Sequence, residues 1–368
     1  MSRKLISILL IIICLFLTVS CGGEYEPIPS TDEEARVVMT FSFENEKYEM
    51  KYELYRTFFL TYKNTVDGGD SSVWSGDERN EYIAKIDEMI VSAACDIFAT
   101  LHIAKKIGKD PFSNSYDEKI KDLIKTSIEG GADSDGAIEG FGGDYDAYLE
   151  SLSDYYMNYS VSTLILRYSL AYTDVINYYK GNTYEENLDE GIQIGELKFD
   201  EEDVLEFYRG DASARVLLAT LDTRSFSENR ANEIRNKIES FTSEDAVIKY
   251  ILSFTATTEE DAAKGMLIGR TSLDDAYYSA VTKAAFELAP HETSKVITVS
   301  TGSESKYYIL YKTDKSEEYY NENKTDVYSA FIDNEIGKII NSAKLSLVSS
   351  CEKSNALEEL DRAAISME

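Results

Sequence analysis

Few residues of this 368-residue chain could carry the chemistry of an active site. The chain contains only two histidines, His102 and His291, and so few give no support to a histidine-rich zinc site or a Ser-His-Asp triad. We interpret His102 as a residue near the end of a helix and His291, in a turn after Pro290, as solvent-exposed. The glycine-rich loop over 129–143 lacks the Lys-Ser or Lys-Thr ending of a phosphate-binding loop. We therefore predict neither a metal nor a cofactor.

The first twenty residues have the pattern of a secretory signal. Arg3 and Lys4 precede an apolar run over 5–17 that is too short to span a bilayer comfortably, and small residues at 18–20 lead to Cys21. The pattern predicts export. The segment resembles a bacterial lipoprotein signal, in which Cys21 becomes the lipidated first residue on the extracytoplasmic face of the cell membrane. The alternative is an ordinary signal cleaved nearby, with Cys21 an incidental thiol.

The charge balance restricts the partners of the exported chain. It has 37 Lys and Arg against 67 Asp and Glu, and removal of Arg3 and Lys4 with the signal leaves 35 against 67, a balance of −32. Such a surface repels nucleic acids and anionic lipid headgroups, so nucleic-acid binding is excluded and membrane attachment depends on acyl chains. A hydrophobic content of 43% predicts a real core and two domains. The 27 tyrosines suit partly exposed apolar surfaces such as a binding groove.

Two cysteines remain in the folded part of the chain once the signal and Cys21 are set aside. Cys95 and Cys351 could form a disulfide in an exported protein, or both could stay as buried free thiols. The sequence leaves both alternatives open because it does not give the distance between the two side chains.

The first half of the mature chain has the periodicity of helices. Residues 21–36 are polar and predict a tether, and 37–43 predict a short strand. Further helical blocks are predicted over 116–128 and 144–179. A long helix is predicted from apolar residues at three- and four-residue steps, namely Ile83, Ile86, Ile90, Ala93, Ile97 and Leu101. Residues 37–200 are therefore predicted to form a helical domain.

The second half mixes strands with helices. The acids after Asp200 suit the start of a helix, and the apolar run within 215–221 predicts a buried strand. Helices are predicted over 228–239 and 243–252, and strands over 265–269 and 306–313. One strand, several helices and then further strands predict an α+β fold class.

The order of short motifs in this half resembles the parvulin (PpiC, rotamase) family of peptidyl-prolyl isomerases. The motifs are Ala214-Arg215-Val216-Leu217-Leu218, Gly265 through Gly269, Ala284-Ala285-Phe286-Glu287-Leu288, Thr293-Ser294-Lys295-Val296, and Gly302 followed by Tyr307-Tyr308-Ile309-Leu310. Residues 144–179 are similar to the helical chaperone region of SurA-like and PrsA-like foldases. The resemblance implies a parvulin-like α+β domain over 201–315 and a helical domain over 37–200 that residues 325–368 complete.

The resemblance also assigns positions to a prolyl isomerase site. Rotation about an X-Pro bond crosses a barrier of about 18–20 kcal/mol, which falls when a pocket holds the ring and polar groups stabilise the twisted amide. Active family members use two histidines, and these positions fall on Val216 and Tyr308, so both histidines are missing. Glu259 lies near the position of the family's acid or cysteine. The implied substrate-binding set is Ile268, Tyr277, Tyr278, Val281 and Phe286.

These features lead to one hypothesis and two alternatives. The leading hypothesis is an extracytoplasmic lipoprotein, anchored through Cys21, that binds unfolded or nascent exported polypeptides in apolar, tyrosine-lined grooves of its helical domain. Its parvulin-like domain is then weakly active or inactive. The first alternative is an active isomerase that works without histidine by straining and desolvating the X-Pro bond. The second is a non-catalytic scaffold for one partner in the cell envelope.

Overall fold

The computed structural model describes most of the chain and divides it into two compact units. One unit comprises Met1–Asn177 with Ile340–Glu368, and the other comprises Tyr178–Ile339. The signal segment and Cys21 lie outside the described residues. Of the helices in the described part, none is both long enough and apolar enough to span a bilayer. The described residues are 25–67, 71–133, 136–138, 140–180, 192–255, 257–271, 279–301 and 304–365.

Helices predominate in the first unit and a larger sheet forms in the second. The chain begins with β1 (Val37–Phe43), β2 (Glu46–Lys51), α1 (Tyr52–Val66), a short 3-10 helix (Ser71–Ser75), α2 (Arg79–Lys106), α3 (Asn114–Glu129), β3 (Gly131–Asp133), β4 (Gly136–Ile138), α4 (Tyr145–Ser153) and α5 (Tyr159–Lys180). It continues with β5 (Ile192–Ile194), β6 (Leu197–Phe199), α6 (Glu201–Arg209), β7 (Ser213–Asp222), α7 (Glu228–Glu239), α8 (Glu244–Leu252), α9 (Glu259–Lys264), β8 (Met266–Gly269), α10 (Ser279–Glu287), β9 (Ile297–Thr301) and β10 (Glu304–Lys312). It ends with α11 (Glu317–Glu322), α12 (Lys324–Ser349), β11 (Glu352–Lys353), α13 (Asn355–Glu358) and a 3-10 turn (Arg362–Ala364). The α+β fold class predicted from the sequence is confirmed.

A three-stranded antiparallel sheet in the order β11-β1-β2 packs against the helices of the first unit. β1 and β2 form a hairpin in which Phe43 pairs with Glu46 across the two-residue loop Glu44-Asn45. Both loop residues have positive φ, 45° and 66°, which is the conformation of a type I′ turn. This turn fixes the register of the hairpin, and therefore the direction in which each backbone group of β2 points.

The long helix α2 forms the centre of the helical unit. The six apolar residues predicted to lie on one stripe of this helix are all buried. His102 lies in the last turns of α2 and is buried, whereas His291 has positive φ and a half-exposed side chain near Asp314. Both Cys95 and Cys351 are free thiols, and burial raises the pKa of the Cys95 thiol to about 12.

The N-terminal polar segment contacts the helical unit from Tyr25 onward. The ring of Tyr25 lies 5.4 Å from that of Tyr145, whose hydroxyl donates a hydrogen bond to the Glu26 carbonyl oxygen. Ser30 donates a hydrogen bond of 2.5 Å to the buried carboxylate of Glu53. The predicted tether of residues 21–36 therefore includes a stretch that packs on the helical unit.

The second unit is built on a four-stranded antiparallel sheet in the order β8-β7-β10-β9. Alternate residues of β7 face opposite sides of this sheet. On one side, Leu217 and Ala219 pack with Ile309 and with residues of α7 and α8. On the other side, Val216 packs with residues of β8, β10 and α10. This second side carries most of the positions that the family resemblance assigns to an isomerase site.

Candidate functional site

The two positions that the resemblance assigns to catalytic histidines lie in the core of the second unit. Val216 is fully buried and Tyr308 nearly so, and both belong to one apolar cluster. Val216 lies opposite Lys312 in the β7–β10 ladder, whereas Tyr308 lies opposite Thr220. The two positions are therefore on the same face but four residues apart along the ladder, a separation of about 13 Å.

The implied substrate-binding residues only partly converge. Ile268 and Val281 are buried in the same cluster as Val216, and Phe286 packs at its margin with the Arg270 guanidinium 4.3 Å from its ring centroid. Tyr277 and Tyr278 lie outside the described residues. Glu259 is the first residue of α9, is exposed, and is not a member of the cluster.

The chemistry available at this cluster is that of a packed core. Val216, Ile268 and Val281 are aliphatic and buried, so they offer no proton donor or acceptor to a twisted amide. These three positions therefore cannot supply the polar groups that lower the barrier in this type of reaction, and the polar group of the catalytic position in the cluster is the hydroxyl of Tyr308.

A second candidate site is a groove in the helical unit, with a volume of about 430 Å³. This size falls within the range of about 300–1,000 Å³ that is usual for ligand sites. The residues that line it come from β2, α1, α2, α5 and the loop that contains Phe112. The apolar and aromatic lining residues are Tyr48, Leu54, Phe98, Leu101, Phe112, Val161 and Leu164.

The aromatic residues of this groove differ in their exposure. Phe98 is buried, and the ring of Tyr48 stacks on it with centroids 5.4 Å apart. Phe112 is 58% exposed, and its ring lies 5.1 Å from the guanidinium of Arg167. A large apolar side chain that remains in water is available to contact a ligand, because burying it removes apolar surface from water.

Polar groups around the groove are held by local partners. The buried carboxylate of Glu53 accepts hydrogen bonds from Ser160 (2.7 Å) and Asn158 (2.9 Å), in addition to Ser30. Such bonds compensate the cost of burying the charge. At the rim, Lys105 forms an ion pair of 2.7 Å with Glu46, which raises the pKa of the lysine.

Tyr48 is fixed in place by a short chain of hydrogen bonds. Its hydroxyl lies 2.8 Å from Nδ1 of His102, and Nε2 of that histidine lies 3.2 Å from Glu44. The tautomer protonated at Nε2 satisfies both contacts, because Tyr48 then donates to Nδ1 and Nε2 donates to the carboxylate. Burial, together with Glu46 and Glu44, raises the pKa of Tyr48 to about 12. Tyr48 therefore stays neutral at physiological pH and contributes an apolar ring face.

The sequence predicted apolar, tyrosine-lined grooves in the helical domain but assigned no residue to a groove. Leu101, which lines this one, was predicted only as part of the apolar stripe of α2. The groove is formed by residues from five separate parts of the chain, so no local pattern reveals it. One available signal was Phe112, a large aromatic residue placed after Pro111 in a loop. Loops lie at the surface, so an aromatic residue there is a candidate for contact with a ligand.

The second unit also has a cavity, of about 720 Å³, with a charged lining. The buried guanidinium of Arg215 lies 4.3 Å from the ring centroid of Tyr319 and forms an ion pair of 3.2 Å with Glu244. Other lining residues are Glu260, Lys264, Glu318, Glu322 and Asp326. This cavity is less suited than the groove to apolar chain segments.

Comparison with known proteins gives matches only among solved structures. No protein-family model and no curated protein sequence matches the chain. The chain is similar to foldase protein PrsA from Streptococcus pneumoniae (15% identity, 77% of this chain and 93% of that chain covered, TM-score 0.30). It is also similar to PrsA from Lactococcus lactis (14% identity, 86% of this chain and 94% of that chain covered, TM-score 0.23). A third similar structure is PrsA from Bacillus subtilis (17% identity, 77% of this chain and 88% of that chain covered, TM-score 0.23). All three solved proteins are foldases by name, and what this chain shares with them is the fold.

Proposed function

We propose that this protein is a chaperone that binds unfolded segments of exported polypeptides in the groove of its helical unit. The observation that carries the proposal is the groove itself, which is lined by the exposed Phe112 and by the Tyr48–Phe98 stack. Unfolded chains expose apolar side chains that folded proteins bury, and such side chains gain about 1.5–3 kcal/mol each when a groove removes them from water. A groove with aromatic residues and a rim of mixed charge therefore suits many segments rather than one ligand.

The rest of the proposal concerns where the protein works. The signal-like N-terminus supports export, and a lipid on Cys21 would hold the protein at the extracytoplasmic face of the cell membrane. The balance of −32 that remains after removal of the signal keeps the chaperone soluble beside its clients and disfavours binding of strongly acidic ones.

The proposal also includes a parvulin-like unit with weak or no isomerase activity. The purified protein is expected not to accelerate cis-trans isomerisation of a short X-Pro peptide, because Val216 and Tyr308 replace the histidines and Val216, Ile268 and Val281 fill the cluster with aliphatic side chains. The measurement is a protease-coupled or NMR exchange assay. Acceleration that disappears in the variant Ile268→Trp would contradict this part of the proposal and establish the isomerase alternative.

The chaperone proposal is tested by replacing Phe112 with aspartate. The variant Phe112→Asp should lose most of the ability to suppress aggregation of an unfolded client, and its affinity for an apolar peptide should fall about 10-fold or more, because one aromatic contact is lost and a charge is added. Folding should be little affected, since Phe112 is already 58% exposed. The measurements are light scattering of the client and fluorescence anisotropy of the peptide.

The matched control is Phe141→Asp. Phe141 is 40% exposed and lies in the same unit, but it is not among the residues that line the groove. This control should stay within about twofold of the wild type, as surface changes away from a site do. Equal loss of peptide binding in both variants would point to a general effect of the added charge. Unchanged binding in both variants would exclude the groove as the site that holds the client. If the wild-type protein neither suppresses client aggregation nor accelerates isomerisation, the scaffold alternative is favoured.

A further inference from the structure

The strand β2 is an open edge of the sheet in the helical unit. The strand order is β11-β1-β2, and among the residues that the structure describes β2 pairs with β1 alone. The groove runs along this edge, because five of the six residues of β2 line it, all except Met50. An open edge presents backbone N–H and C=O groups that can pair with another extended chain.

The register of the hairpin shows which backbone groups of β2 point away from β1. The two-residue turn makes Phe43 and Glu46 a hydrogen-bonded pair, and bonded and non-bonded pairs then alternate along an antiparallel ladder. Ser42 with Lys47 and Thr40 with Glu49 are therefore non-bonded pairs. The backbone N–H and C=O groups of these four residues point outward from the hairpin. Those of Thr40 and Ser42 point to the side of β1 away from β2, and those of Lys47 and Glu49 point to the side of β2 away from β1.

The contacts of β1 support this assignment. The backbone N–H of Ser42 points away from β2 and donates a hydrogen bond of 2.8 Å to Oγ of Ser350. Thr40 pairs with Glu352 of β11 on that same side. It follows that the N–H and C=O groups of Lys47 and Glu49 point to the free side of β2.

The free side of β2 is accessible and faces the groove. The side chains of Lys47 and Glu49 are 61% and 51% exposed, and no backbone hydrogen bond of either residue to a group outside the hairpin is found within the described part of the chain. Phe112 lies in the same groove. Directional backbone groups and an apolar surface therefore occur side by side.

We propose that an extended segment of an unfolded polypeptide adds to β2 as a further strand, pairing with the backbone of Lys47 and Glu49 while its alternate side chains enter the groove. This inference rests on the proposed chaperone function and specifies how the client is held. Backbone pairing does not depend on the client sequence, and the groove selects segments with apolar residues at every second position. A second copy of this chain is a poorer occupant, because each exported copy carries a net charge of −32 after removal of the signal.

The first test uses a synthetic probe and leaves the protein unchanged. The probe is a fluorescent nine-residue peptide in which leucine or valine alternates with serine or lysine. Two versions carry backbone N-methyl groups on alternate residues, one on the odd and one on the even positions. Since only one set of N–H groups faces β2, one version should bind at least 10-fold more weakly than the unmethylated peptide and the other within about threefold.

The second test changes one backbone group of the protein. The variant Glu49→Pro removes an N–H that points away from β1, so the hairpin keeps its ladder, and proline is tolerated at such an edge position. Peptide binding should weaken about fivefold, the value for one lost hydrogen bond. The matched variant Glu49→Ala removes the same side chain and retains the N–H, so Glu49→Pro should bind the peptide about fivefold more weakly than Glu49→Ala, and equal binding by the two variants would contradict a role for this N–H.

The outcomes separate this inference from the proposed function. If both methylated peptides bind alike while Phe112→Asp still weakens binding, strand addition is wrong and the groove remains the client site. If Phe112→Asp binds the unmethylated peptide as the wild type does, the proposed function itself fails. If the protein forms a dimer that Glu49→Pro dissociates and the methylated peptides show no difference, a second copy occupies the edge and the inference is overturned.

Discussion

Replacing Asp87 with alanine is expected to lower the free energy of unfolding of the helical unit by about 3 kcal/mol. Asp87 lies on α2 and is 3% exposed. One carboxylate oxygen accepts a hydrogen bond of 2.7 Å from Tyr55, and the other accepts bonds of 2.6 Å from Lys353 and from Arg362. The carboxylate thus joins α1 and α2 to the C-terminal segment, and its removal leaves three donors without their acceptor.

The size of this effect follows from the exposure of the partners. Loss of one member of a buried ion pair costs about 3–5 kcal/mol, and the lower value applies because the Lys353 side chain is 43% exposed and can turn to water. Trp74, the only tryptophan, lies in this unit, so its fluorescence during urea unfolding reports on the helical unit. The exposed neighbour Glu88 supplies the control Glu88→Ala, expected within about 0.5 kcal/mol of the wild type. Equal stabilities of the two variants would show that Asp87 does not hold the C-terminal segment.

The second large effect is expected for Gly265→Ala, which should destabilise the sheet of the second unit by about 3 kcal/mol. Gly265 has a φ of +65°, a conformation that costs a residue with a Cβ about 1–2 kcal/mol. A Cβ there would also lie 2.5 Å from the carbonyl oxygen of Val216 and 3.2 Å from Leu217. Because the first of these contacts is with the backbone, β7 or β8 must shift to relieve it.

Hydrogen exchange measured by mass spectrometry tests the prediction for Gly265→Ala. Peptides that cover β7 and β10 report the opening of the sheet directly, and the variant should exchange there about 100-fold faster if opening becomes 3 kcal/mol easier. The control is Gly108→Ala in the helical unit, where φ is +81° but no atom lies within 4 Å of the added Cβ. That variant should lose only about 1 kcal/mol in its own unit. Unchanged exchange in β7 of Gly265→Ala would contradict the crowding argument.

The parts of the fold with local signals were predictable from the sequence. The stripe on α2 has helical spacing over five turns. Asp200 forms a capping box with Asp203 at the start of α6, where the run of acids predicted that a helix begins. The predicted helix over 228–239 coincides with α7 because Ser227 caps it and apolar residues recur at its buried positions. Local chemistry decides these elements, so a single sequence suffices.

Other features depend on residues that are distant in the chain. β11 has two residues, too few for a periodic pattern, and it forms because β1 offers a partner more than 300 residues earlier. The burial of Asp87 likewise depends on Lys353 and Arg362. The groove brings Tyr48 and Phe112 together with α5 only after folding. Sequence patterns predicted the strands β7, β8 and β10 but not β9, and the ladder register, which separates Val216 from Tyr308, required the structure.

Site-specific photo-crosslinking tests the central claim most directly. A photoreactive phenylalanine analogue is placed at position 112 in one version of the protein and at position 141 in another, and each is irradiated with an unfolded client. Binding in the groove predicts strong crosslinking from position 112, little from position 141, and loss of the position-112 crosslink when excess apolar peptide competes. Equal crosslinking from both positions, or none from position 112 while client aggregation is still suppressed, would contradict the claim that the groove of the helical unit holds the client.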